Sequence, residues 1–144
     1  MTGRKAFIAT ATPSDDEMSA RIEKHRQDRS SDWETFEEPL RISSLITEIS
    51  ITYDIIVIDC LTLWLSNLMF SDRDIETEFQ ALVSCVESSR SSLFIVANEV
   101  GLGIVPDNPV ARSFRDLAGF LNQRIAAAVD EAYFMAAGIP LKLK

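Results

Sequence analysis

Three short apolar runs, each closed by a polar residue, constrain this chain more than any other feature. Lys5 to Thr10 (KAFIAT), Ile55 to Asp59 (IIVID) and Ser92 to Ala97 (SLFIVA) are apolar, β-branched and too short for helices. The last two are continuous rather than alternating, the pattern of strands buried on both faces of a parallel sheet. Between them the period changes to that of a helix. Ser14-Asp15-Asp16-Glu17 forms a capping box for a helix from Asp15 to about Asp28, with Met18, Ile22 and His25 on one face. Trp33 to Phe36 gives a short strand, and Leu40 to Ile49 returns to helical spacing. Leu61 to Phe70 is an apolar helix and Asp74 to Arg90 an amphipathic one. Asp107 or Asn108 caps a long helix with the stripe Val110, Phe114, Leu117, Leu121 and Ile125. Ala132 to Ala136 and Leu141 to Lys144 read as a hairpin turning at Gly138-Ile139-Pro140. Strands alternating with helices predict an α/β fold, a largely parallel sheet with an antiparallel end, in one domain over residues 1–144.

Composition removes several classes. At 144 residues with 47% apolar and 25% charged side chains the chain is globular. No apolar run approaches a bilayer span, and the start carries no signal core, so a cytoplasmic protein without a membrane span is expected. Cys60 and Cys85 stand inside apolar segments without metal-ligand spacing, against a disulfide scaffold or a zinc module. A net charge of −8 argues against nucleic acid as a partner.

In an open parallel sheet, ligands bind beyond the carboxyl ends of the strands, which here means Thr10, Asp59 and Asn98-Glu99. An apolar run closed by one carboxylate is how phosphate-handling enzymes hold Mg²⁺. On spacing alone Asp59 serves equally as such a ligand or as a cap for the next helix. Glu99, before Gly101-x-Gly103, is either a metal- or water-orienting carboxylate or a loop charge. His25 is the single histidine, in a segment 21–29 that carries +2 while the rest of the chain carries −10. A basic island is a place to dock a phosphate, and its cations favour neutral imidazole with a nucleophilic nitrogen. Composition alone favours a solvated basic helix end over that role. Arg112, Arg115 and Arg124 fall opposite their helix's apolar stripe, a solvated or subunit-contacting face, and Trp33 and Trp64 read as core.

The strings IATATPSDDEMSARIEKHR, ANEVGLGIVPDNPVARSFRDLAGFLNQRIAAA and VDEAYFMAAGIPLKLK resemble the bifunctional adenosylcobinamide kinase / adenosylcobinamide-phosphate guanylyltransferase family of cobalamin biosynthesis. DDEM-x-ARI, NEVG-x-GIVP and RD-x-AG are its specific segments, and the likeness runs through essentially the whole chain. The resemblance implies a single P-loop-NTPase-like (RecA-like) domain assembled as a homotrimer. It implies that adenosylcobinamide is phosphorylated, and that adenosylcobinamide phosphate then receives GMP from GTP through a guanylyl-histidine. Carried onto this chain, the histidine is His25. Nucleotide contacts fall on Ala9, Thr10 and Ala11, on Arg26, Gln27, Asp28 and Arg29, and on Glu37 and Asp59. The implied cofactors are GTP (or ATP) and Mg²⁺, the metal on Asp59. Glu37 would contact either the guanine edge or the ribose. Gln27-Asp28 departs from a family loop that usually carries Gly.

The family also opens with a strand and a Gly-rich phosphate loop, and no G-x-x-x-x-G-K-[ST] occurs in this sequence. A chain lacking that first strand, loop and helix is the expectation, whether clipped or naturally short. Two other readings stand beside the enzyme: a non-catalytic nucleotide-binding or oligomer-forming remnant, and a P-loop-related kinase for another small alcohol.

Overall fold

The computed structural model describes residues 3–13, 19–20 and 32–144. The capping box, most of the helix expected from Asp15 to Asp28, and the basic island with His25 lie outside the described residues. The described elements are β1 (Lys5–Ala9), β2 (Trp33–Glu37), α1 (Ile42–Ile49), β3 (Ile55–Asp59), α2 (Leu61–Met69), α3 (Ile75–Ser88), β4 (Ser92–Val96), α4 (Pro109–Ala128), β5 (Tyr133–Ala136) and β6 (Ile139–Lys142). The first four strands make one parallel sheet in the order β2-β1-β3-β4, and β5 and β6 a separate antiparallel pair. This is the expected α/β class with a parallel sheet and a terminal hairpin.

Register explains which face carries the core. Ala6, Ile56 and Leu93 form one cross-strand row and Phe36, Ile8, Ile58 and Ile95 the next. Side chains alternate between faces, so both rows point to one side. There they meet Ile42, Ile46 and Ile49 of α1, Leu61, Trp64, Leu65 and Leu68 of α2, Phe79 and Leu82 of α3, and Ala118, Leu121 and Ile125 of α4. Each set recurs at helical spacing, so every helix turns its apolar stripe to the same layer. A fully buried Leu or Ile contributes roughly 1.5–3 kcal/mol, so this shared layer dominates stability. Trp64 is fully buried, as expected for core, and stands 6.1 Å from Phe79 between ring centroids. Trp33, by contrast, is only half-buried, beneath the Lys5 ammonium at the amino end of the sheet.

Three expectations are corrected. β4 is not a strand buried on both faces: Phe94 and Val96 are 50% and 42% exposed. Among the described residues it pairs only with β3, and the described helices pack on the opposite face, that of Leu93 and Ile95. The opposite-face row Thr35, Phe7, Val57 and Phe94 is likewise no better than half-buried, so β3 is covered fully on one side only. The hairpin turns at Ala137-Gly138, both with positive φ, and Ile139 and Pro140 belong to β6. Finally, Val110 of the α4 stripe is 55% exposed, because the first turn of that helix overhangs the core layer.

Both ends of α4 are chemically closed. Asn108 caps α4, accepting from the amides of Val110 and Ala111 at 2.8 and 3.2 Å, with Pro109 at the first position. Lys144 donates to the carbonyls of Ala126, Ala127 and Val129 at its far end. Arg124 reaches Glu76 at 2.8 Å, tying α4 to α3, so it is not a merely solvated residue.

Candidate functional site

The parallel register brings the predicted carboxylates to one level. Ala9 is the partner of Glu37 on one side and of Asp59 on the other, and Asp59 is in turn level with Val96. Adjacent strands lie about 4.8 Å apart, so Glu37 and Asp59 flank Ala9 across roughly 10 Å. Both carboxylates are exposed at the carboxyl ends of their strands, where an α/β sheet offers its ligand crevice. The ladder continues one step past the strands, with the Thr10 amide donating to Asp59 O at 3.1 Å and the Glu38 amide to Ala9 O at 3.0 Å.

Thr10 is fully buried, and its hydroxyl is committed to Cys60. It accepts from the Cys60 amide and donates to the Cys60 carbonyl, each at 2.8 Å. The residue therefore fixes the backbone directly after Asp59, across a 50-residue separation. Asn67 completes the arrangement: its side-chain amide donates to Thr10 O at 2.8 Å and to Pro39 O at 3.0 Å. One α2 residue thereby holds the segments following β1 and β2 together. The Trp64 indole does the same for Leu40 O at 2.8 Å. Asn67 and Cys60 were missed by sequence reasoning. The available signal was a lone side-chain amide inside LTLWLSNLM, since a polar group among apolar neighbours needs partners.

The two readings of Asp59 separate here. Helix α2 starts from Cys60 without a side-chain cap, so Asp59 does not serve as one. Its exposed carboxylate retains oxygen-ligand chemistry. Mg²⁺ bound with phosphates is held by one or two carboxylates and keeps waters, and a single Asp59 fits that demand. No group of three or more His, Cys, Asp or Glu that could hold a metal occurs among the described residues.

Beyond β4, the Asn98 amide donates to Thr62 Oγ at 2.7 Å, tying the next loop to the start of α2. Glu99 turns back on its own loop, accepting from the Gly101 amide at 2.5 Å. A Cβ at Gly101 would come within 2.8 Å of the tip of that carboxylate, which would have to swing aside. Arg112 donates to the carbonyls of Pro106 and Asp107 at 2.8 and 2.6 Å, so it braces this loop and is not a solvated charge.

A cleft of about 300 Å³ lies elsewhere, lined by Arg4, Lys5, Asp32, Trp33, Glu34 and Tyr53. It sits at the amino ends of β1 and β2, opposite the carboxylate row. There the Tyr53 hydroxyl donates to Glu34, and that bond pushes its phenol above the ordinary range. Arg4 pairs with both groups, closing a structural network. Of the expected site residues, the structure brings Ala9, Thr10, Ala11, Glu37 and Asp59 to one end of the sheet. His25, Arg26, Gln27, Asp28 and Arg29 lie outside the described residues.

The sequence matches a family model described as cobinamide kinase / cobinamide phosphate guanyltransferase over residues 1–143. It is 39% identical over 153 aligned residues to the bifunctional adenosylcobalamin biosynthesis protein CobU of Salmonella typhimurium, covering 96% of this chain and 84% of that one. The corresponding CobU protein of Escherichia coli is 37% identical with the same coverage. The protein CobP of Pseudomonas aeruginosa is 38% identical over 96% of this chain and 82% of its own length. Likeness of this extent favours neither the remnant nor a kinase for an unrelated alcohol.

Proposed function

The chain belongs to the cobinamide kinase / cobinamide phosphate guanyltransferase family, and from that premise we propose that it handles GTP (or ATP) at the carboxylate row to modify adenosylcobinamide. The observation that carries the reading is the shared level of Glu37, Ala9 and Asp59 at the carboxyl ends of three adjacent parallel strands. That is where such a sheet binds a nucleotide.

In this scheme the nucleotide lies against Ala9, Thr10, Ala11, Arg26, Gln27, Asp28 and Arg29. Thr10 acts through the Cys60 backbone, keeping Asp59 in place. Glu37 accepts from the N–H donors of the guanine edge. Asp59 would hold Mg²⁺, which offsets charge on the phosphate oxygens. In guanylyl transfer a nitrogen of His25 attacks the α-phosphorus, a P–N bond forms, and the bond to the bridging oxygen breaks with pyrophosphate leaving. A phosphate oxygen of adenosylcobinamide phosphate then attacks the same phosphorus and frees the imidazole. In the preceding kinase step the aminopropanol oxygen of adenosylcobinamide bonds to the γ-phosphorus, the bond to the β–γ bridging oxygen breaks, and the nucleoside diphosphate leaves. A homotrimer in the cytoplasm, without nucleic-acid or membrane partners, belongs to the same reading. For the membrane part, no helix among the described residues is long and apolar enough to cross a bilayer.

The test is labelling of the chain with α-³²P-GTP. A covalent label that is acid-labile, alkali-stable and lost in His25→Ala is expected. Labelling that persists in His25→Ala would remove the nucleophile assignment, and an unlabelled wild-type chain would remove the transferase reading.

A further inference from the structure

The ladder between β1 and β2 makes its last bond where the Glu38 amide donates to Ala9 O at 3.0 Å. Bonding in a parallel pair recurs at every second residue, so the next amide of that series is Leu40. It turns back instead to the Glu38 carboxylate at 3.0 Å, as the Arg41 amide does at 2.8 Å. The segments after β1 and β2 part at this point, and Asn67 of α2 bridges them. Its Nδ2 donates to Thr10 O at 2.8 Å and to Pro39 O at 3.0 Å. Asparagine suits the place because one nitrogen carries two donors, whereas an aspartate of the same size carries none.

The bridge is anchored in the core. Asn67 lies about one turn beyond Trp64, which is fully buried with its indole on Leu40 O at 2.8 Å, and Leu65 and Leu68 of the same helix are buried too. An amide fixed in this way sets the distance between the two carbonyls. Glu37 lies two residues before one of them, and Ala11 directly follows the other. Asn67 therefore governs the width of the crevice between segments 10–11 and 37–39. We propose, resting on the functional reading above, that Asn67 is a positioning residue for nucleotide selection. It holds the Glu37 carboxylate at the spacing from the β1 segment that engages the guanine edge. A bridge with a structural role alone would change stability and leave the folded protein's preference between nucleotides unaltered.

The experiment is calorimetric titration of the full chain with GTP and with ATP. The variants are Asn67→Ser, Asn67→Gln, Glu37→Gln, and each Asn67 change combined with Glu37→Gln. Glutamine keeps both donors, so that variant should fold even where the serine variant does not, while its extra methylene moves the amide. Ser91→Ala is the control, since its buried hydroxyl donates to Tyr53 O at 2.7 Å at the amino end of the sheet. The expected result is a GTP Kd raised about ten-fold in each folded Asn67 variant, with ATP little changed and Ser91→Ala like wild type. The double variants should bind GTP about as weakly as Glu37→Gln alone, because both changes disrupt one contact. An unchanged GTP Kd in the Asn67 variants, or an equal rise in Ser91→Ala, would overturn the proposal. So would losses that multiply to about a hundred-fold in the double variants, which would leave the nucleotide reading standing. A Glu37→Gln variant that loses both nucleotides equally, or neither, would remove the guanine contact from the functional reading, and the proposal with it.

Discussion

The Thr10 hydroxyl stands 2.8 Å from both the amide nitrogen and the carbonyl oxygen of Cys60. The carbonyl has a second partner in the Trp64 amide at 3.1 Å, whereas the buried Cys60 amide depends on Thr10. Thr10→Val keeps the shape and removes the acceptor, so it should destabilise the protein by about 1–3 kcal/mol, the cost of an orphaned buried donor. Thr10→Ser should lose less, since only a methyl group goes. Urea unfolding of both variants checks this, and a Val variant within about 0.5 kcal/mol of wild type would show that the pair does not position the Asp59 segment.

Glu37 stands exposed at the carboxyl end of β2, level with Ala9. Glu37→Gln exchanges a doubly accepting carboxylate for an amide whose NH₂ opposes the donors of guanine. A hydrogen bond to a charged group contributes about 1.5–3 kcal/mol, so GTP affinity should drop at least ten-fold with ATP affinity little changed. Calorimetric titration with each nucleotide decides it. Equal losses for GTP and ATP would move the contact to the ribose.

Acid should loosen the start of α3. The Asp74 carboxylate accepts from the Thr77 hydroxyl at 2.6 Å and the Thr77 amide at 2.8 Å, and these bonds hold it below the usual carboxylate range. Glu76 is lowered in the same way by Arg124. A folded-state pKa below the unfolded one contributes stability that is present above about pH 4 and disappears as pH falls through the folded value. Thermal melts from pH 6 to pH 2.5 should therefore show wild type losing its margin over Asp74→Asn on the acid side. A margin constant across that range would refute the charged cap.

The strands were legible because short β-branched runs such as IIVID favour extended backbone, and the caps because Asp74 and Asn108 precede apolar stripes. What the linear order hides is partnership. SLFIV reads like IIVID, yet β4 lies at the sheet margin, a fact set by the order of pairing and not by its own residues. Glu37 and Asp59 could be nominated singly, but their common level with Ala9 is a product of register. The commitment of Thr10 to a backbone 50 residues away leaves no local trace in KAFIAT.

The hairpin shows the same limit at a single residue. Gly138-Ile139-Pro140 resembles a turn, but the chain reverses at Ala137 and Gly138 with φ of 51° and 77°. Two successive positive values are the demand of a two-residue turn matching the strand twist, for which Asn-Gly is the preferred pair. Alanine in the left-handed region costs roughly 1–2 kcal/mol, which asparagine partly avoids through its short polar side chain. Ala137→Asn should accordingly stabilise the protein by about 0.5–1 kcal/mol. Gly138→Ala should destabilise it by about 1 kcal/mol although a Cβ there would touch nothing within 4 Å, so the cost is backbone alone. Urea midpoints of the two variants give the contrast. A neutral Gly138→Ala would mean that the turn relaxes to another type, and with it the pairing of Ala136 with Ile139 would have to shift.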